Sequence, residues 1–264
     1  MGKRFILTLI IMAVLFAPLW AQSESDFAVT LTADGQGVVI TRYNGTIADV
    51  RIPATIQGMP VREIAASAFE AVSRGTLITS VEIPEGVTYI GANAFSHNRM
   101  LRSVNIPNSV RVIREFTFEG CIALNNITLH DGLESIEQRA FMRTGLTSVT
   151  WPAGVTSIPY AVFSGSQALQ SVTIPEGVTS IGPSAFSSSG LTSITLPSTI
   201  EEIHADAFRA CSSLVTVSIP ETVTSINFMW VGRIRSDNDA FIHSSNINLA
   251  SQAALRRVGY TGSF

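Results

Sequence analysis

Prolines stand at Pro84, Pro107, Pro152, Pro175, Pro197 and Pro220, and His130 fills the one vacant place in a series that advances by 22 or 23 residues. Ahead of each lies an alternating apolar run, such as Ile78, Val81, Ile83 or Leu169, Val172, Ile174. Apolar residues two apart in a β-branched stretch describe a half-buried strand, and a following proline, which has no N–H to donate, ends it. Behind the proline a second motif recurs, as Val87, Ile90, Gly91, Ala94, Phe95 and again as Val178, Ile181, Gly182, Ala185, Phe186. A degenerate first unit reads Ile47, Val50, Ile52, Pro53; the last begins with Val223 and Ile226 but reaches Ala240 and Phe241 late. No unit this short can bury its own apolar face, whereas stacking puts Leu on Leu and Phe on Phe. The pattern therefore predicts a β-rich solenoid of about eight coils, each a strand, a turn, a short extended piece and a turn.

These residues resemble the BspA-like bacterial leucine-rich repeat family, whose unit reads L-x-x-I-x-L-P-x-x-L-x-x-I-G-x-x-A-F. The resemblance spans residues 47–241. It implies a right-handed solenoid whose Leu-Ile-Leu strand lines the concave sheet, with the Ile-Gly segment opposite. It also implies adhesion to host, matrix or cell-surface proteins. Departures are local: His130 replaces the proline, Arg114, Pro159 and His204 the glycine, and Trp151 a core aliphatic.

The flanks differ. Residues 1–21 read as a signal peptide, with Lys3 and Arg4 ahead of an apolar run and Ala21 before the cleavage point. The run is shorter than the roughly 20 apolar residues of a spanning helix, so no stable membrane span is expected after cleavage. Residues 22–46 form an N-terminal β cap, because Phe27, Val29, Leu31 alternate and Asp34-Gly35 precede Val38 to Ile40 as in a hairpin. Residues 47–226 hold the leucine-rich repeats, and 227–264 the last repeat with an insert and a C-terminal cap, a short helix that Ser251 would start and Gly259 close.

Charged residues make up 14% of the chain, against about 25% in a typical soluble domain, so the surface is expected to be neutral and hydroxyl-rich. Without Lys3 and Arg4 the 17 basic residues become 15 against 20 acidic ones, a net charge of −5 that disfavours nucleic acid. Lys3 is the single lysine, so the mature chain has no Schiff-base chemistry.

Enzymes need unlike polar groups converging on one pocket, whereas here polar residues recur in rows of like residues. His97, His130, His204 and His243 fall in different repeats without metal-ligand spacing, and Asp237 with Asp239 falls short of a calcium loop. No catalytic, cofactor or metal site is expected. Cys121 and Cys211 each follow the repeat phenylalanine by three residues. They should stack four coils apart, about 19 Å, too far for a disulfide. Two buried free thiols are predicted.

Function must then live on outward positions. On the first strand these form columns, Ser148, Ser171, Ser193 and beside them Thr150, Thr173, Thr195, which continue a flat, uncharged ladder from Ser80, Ser103, Glu82 and Asn105. The insert adds Trp230, Arg233 and Arg235, residue types that often dominate binding. Arg99, Arg102, Arg111, Arg114, Arg139 and Arg143 crowd into neighbouring repeats and could receive an acidic partner, some pairing with Glu115, Glu119, Glu134 or Glu137. The expected function is that of an exported, non-enzymatic, protein-binding solenoid at the cell surface, with a glycan ligand also feasible. The alternative is a structural periplasmic or envelope scaffold.

Overall fold

The computed structural model describes residues 22–71, 77–229, 240–241 and 243–264. The leader and the insert residues Trp230, Arg233 and Arg235 lie outside the described residues. The remainder is the solenoid that the period demands. All of the apolar runs except Leu124, Ile127, Leu129 contribute a strand of two or three residues to a first face: Asp49–Arg51, Ser80–Glu82, Ser103–Val104, Ser148–Thr150, Ser171–Thr173, Ser193–Thr195 and Thr216–Ser218. Pairing is parallel and in repeat register, with Val50 opposite Val81, Val149 opposite Val172 and Ile194 opposite Val217. The Ile-Gly segments build a second face, where Ile64, Ile90, Ile113 and Ile136 succeed one another, then Ile158, Ile181 and Ile203.

Between the faces runs a row of eight phenylalanines, Phe69, Phe95, Phe118, Phe141, Phe163, Phe186, Phe208 and Phe241. Successive ring centroids are 4.8 to 5.7 Å apart, which the coil spacing of about 4.8 Å imposes. Trp151, the odd aliphatic position, packs edge-on against Phe163 and donates its indole N–H to the Val155 carbonyl at 3.0 Å.

The chain turns sharply on both sides of this row. From Phe69 to Phe208 the residue two before the phenylalanine has a left-handed backbone, as at Asn93, Phe116, Arg139, Ala161, Ser184 and Asp206. From Phe95 onward so does the residue two after, as at His97, Gly120, Arg143, Gly165 and Ala210. One residue further on, in five of the coils, a buried polar side chain bonds the phenylalanine carbonyl of the preceding coil. Asn98 donates to Phe69, Cys121 to Phe95, Ser166 to Phe141, Cys211 to Phe186 and Ser244 to Phe208. These bonds tie each coil to the one before it, and at Phe95, Phe186 and Phe208 they add a second donor to a carbonyl that already accepts a backbone N–H within its turn. Both thiols are buried and free, at equivalent places in this column.

The ends close as caps. Phe27–Leu31 and Val38–Tyr43 form the expected antiparallel hairpin, and Val38–Tyr43 pairs in parallel with Met59–Ile64. Tyr43 extends the aromatic row, 5.5 Å from Phe69, and Tyr260 meets Phe241 at the far end at 5.3 Å. Three expectations are corrected. Ile47 is 49% exposed instead of belonging to the core, since the cap strands pair on the second face and leave the first face's edge beside it unpaired by a strand. In the last coil Phe228, not Ile226, stands opposite Ile203, while the Ile226 N–H bonds the Val258 carbonyl in the C-terminal cap. The helix spans Leu249–Arg257 and its cap is Asn248, which accepts the Ser251 N–H at 2.9 Å. Ser251 lies in the first turn, and its hydroxyl serves the sheet instead.

Candidate binding face

In the motif Ser-Val-Thr the central residue enters the core and its neighbours point out, because side chains alternate along a strand. Val149, Val172, Ile194 and Val217 are accordingly buried, and Ser148, Thr150, Ser171, Thr173, Ser193, Thr195, Thr216 and Ser218 exposed. Register pairs Ser148 with Ser171, Thr150 with Thr173, Ser193 with Thr216 and Thr195 with Ser218, so like hydroxyls form two columns. The hydroxyls of Ser148, Thr150, Ser171, Thr173, Ser193 and Thr195 make no hydrogen bond among the described residues. The buried column beside the phenylalanines, by contrast, uses its polar groups to hold the coils together.

The same face is concave and charged near the N-terminal cap, a departure from the flat, uncharged ladder expected. A hollow of about 750 Å³ is lined by Asp49, Arg51, Ser80, Glu82, Ser103 and Asn105 around buried Val50, Val81 and Val104. Arg51 pairs with Glu82 at 3.4 Å, both side chains largely exposed. Asp49 accepts hydroxyl hydrogens from Thr79 and Ser80 at 2.5 and 2.8 Å. Those bonds favour the carboxylate and hold its pKa below the ordinary value, with nearby Arg51 adding to the effect. Asn105 bonds both backbone groups of Ile83, which fixes one wall of the hollow. Asp49 and Arg51 flank Val50 in the degenerate first unit, so their outward placement is legible once that unit is given its strand register.

The arginines close in number divide between the two faces. Arg102 is exposed ahead of its first-face strand, while Arg111, Arg114 and Arg139 belong to the second strand and its following turn. Of the carboxylate partners expected for them, Arg114 takes Glu137, at 2.7 Å. Burial pushes the thiol of Cys121 up to about 12 and that of Cys211 up to about 11, so neither provides a thiolate nucleophile at neutral pH. Among the described residues no group of three or more His, Cys, Asp or Glu side chains could hold a metal ion. No helix among them is long and apolar enough to cross a membrane.

Residues 43–166 and 134–253 each match the BspA type leucine rich repeat region, a family unit of six copies. The chain belongs to that family. The BspA-type coil path is shared with solved bacterial proteins. A leucine rich repeat protein of T. pallidum superposes with a TM-score of 0.65 at 27% identity, over 92% of this chain and 98% of that one. A leucine-rich repeat protein from Bacteroides ovatus gives 0.70 at 25% identity, over 84% of this chain and 68% of that one. No curated protein matches this BspA-type sequence.

Proposed function

We propose that the protein is exported and non-enzymatic, and that its first face binds protein ligands at the cell surface in the manner of an adhesin. The observation that carries this reading is the pair of hydroxyl columns, in which the hydroxyls from Ser148 to Thr195 bond nothing among the described residues and face outward over successive coils. The charged hollow at Asp49, Arg51 and Glu82 adds a concave end that can fix the register of a bound surface. Such a face offers many weak bonds and a few charges, a composition suited to recognition rather than to bond making.

The test combines place and face. Protease should digest the protein on intact cells, and immobilised matrix extract should retain the wild type but not Thr150→Arg/Thr173→Arg/Thr195→Arg, whose melting should be unchanged. Equal retention of both would sink the reading. Protection from protease until the outer envelope is opened would favour an envelope scaffold.

A further inference from the structure

Arg139 occupies an unusual place on the turn that follows the second face. Its guanidinium lies over the ring of Phe116 from the preceding coil at 5.3 Å and over the ring of Tyr160 from the following coil at 5.0 Å. One of its terminal N–H groups also donates to the Tyr160 hydroxyl at 3.1 Å. Next to this clamp Arg114 lies over Tyr89 at 5.2 Å, so two cations are laid on aromatic faces in adjacent coils. Their situations differ. Arg114 is bonded to Glu137, and Glu137 also accepts the Glu115 N–H at 3.1 Å. Glu115 in turn accepts from Gln138 at 2.8 Å. The neighbouring carboxylates are thus engaged with other groups, and Arg139 forms no ion pair among the described residues.

The repeat supplies small residues at the left-handed site before the core phenylalanine, namely Ser67, Asn93, Ala161, Ser184 and Asp206. Phe116 and Arg139 are the bulky exceptions, with φ of 58° and 56°, in a conformation that large side chains seldom adopt. Tyr160 is 38% exposed beside them. A guanidinium held by two rings has already lost its rotational freedom, and its planar edge remains able to meet a carboxylate in a fork.

We propose that the Phe116–Arg139–Tyr160 clamp anchors a second docking site, separate from the hydroxyl face, that takes an acidic segment of a protein partner. Charge complementarity selects that partner: the site offers a preorganised fork donor that forms no ion pair among the described residues, while the neighbouring Glu115 and Glu137 are engaged elsewhere. The site stands or falls independently of the first-face reading.

The experiment titrates the purified protein with fluorescein-labelled octaglutamate, against octaglutamine and a heparin fragment. Saturable octaglutamate binding that weakens with salt is expected, with none for octaglutamine. Arg139→Gln should weaken it about tenfold or more, as loss of a charge-assisted bond does. Arg139→Lys should also weaken it, since an ammonium retains charge but not the fork. Arg102→Gln should bind as wild type does, and all variants should remain folded at the temperature of the titration. No octaglutamate binding, or equal losses in Arg139→Gln and Arg102→Gln, would overturn the proposal. So would Arg139-dependent capture of the heparin fragment without the peptide, which would make the ligand a sulfated glycan.

Discussion

The side-chain oxygen of Gln22 accepts the backbone N–H of Arg51 at 2.7 Å, which covers the first sheet at the edge where no strand pairs with it among the described residues. Ser251 does the same at the other end, its hydroxyl oxygen accepting the Val217 N–H at 2.9 Å. A solenoid otherwise ends in an unpaired strand edge that invites another chain. Gln22→Ala and Ser251→Ala should each destabilise the fold by about 1–2 kcal/mol, the cost of leaving such a group without a partner. Denaturation midpoints would show it, and wild-type midpoints in both variants would show that water replaces these caps at no cost.

The left-handed turns make a second prediction with opposite signs at equivalent places. Ala210 has φ of 53° where other coils carry Gly120 and Gly165 at 71° and 72°. Ala210→Gly should relieve a left-handed backbone and stabilise the protein by about 0.5–1 kcal/mol. Gly120→Ala should do the reverse and by more, about 1–2 kcal/mol. A Cβ there would also approach the Nδ1 atom of His97 to 2.7 Å. Paired urea titrations decide the matter.

The aromatic row should be far less forgiving than the binding face. Phe141 is fully buried and stacked on both sides, 5.6 Å from Phe118 and 5.7 Å from Phe163. Phe141→Ala should cost about 3–5 kcal/mol. Thr150→Ala, on the exposed column, should stay within about 0.5 kcal/mol while altering ligand retention. A strongly destabilised Thr150→Ala would mean that the column holds the fold rather than a partner.

Alkaline pH provides a further test. Loss of water around the thiolates raises Cys121 to about 12 and Cys211 to about 11, from an ordinary value of 9.0. The folded protein therefore holds these protons more tightly than the unfolded chain. Their contribution is intact below pH 9.0 and falls as pH rises toward 11 and 12, by about 1.4 kcal/mol per pH unit for each thiol. Cys121→Ser/Cys211→Ser should fold, because Ser244 already donates to a phenylalanine carbonyl from the equivalent position. Its stability should fall less steeply above pH 9 than that of the wild type, and superimposable curves would refute the assignment.

The core was largely legible because each buried position recurs with the coil. Val149, Phe141 and Leu146 are identified by period alone, and the outward placing of Ser148 and Thr150 follows from alternation about Val149. Less was legible where units degenerate. Ile47 matched the apolar pattern but lies beside an edge with no coil to cover it. Ile226 kept the spacing but not the strand partner, since nothing in a spacing specifies which nearby apolar residue enters the ladder. Asp49 and Arg51 were passed over because the first unit was read for its apolar residues.

The sequence by itself determined the coil length, the rows that form the core, the parallel stacking and the face on which hydroxyls collect, since each depends on which residues repeat and on the need to bury them. The tertiary structure decided how the ends are closed, which turns are left-handed, and that Arg139 lies between Phe116 and Tyr160 while Arg114 takes Glu137. Those outcomes rest on contacts between residues 21 to 34 apart, as in Arg139 with Tyr160 and Ser251 with Val217. They depend on side-chain rotamer and coil-to-coil offset, which a periodic pattern leaves open.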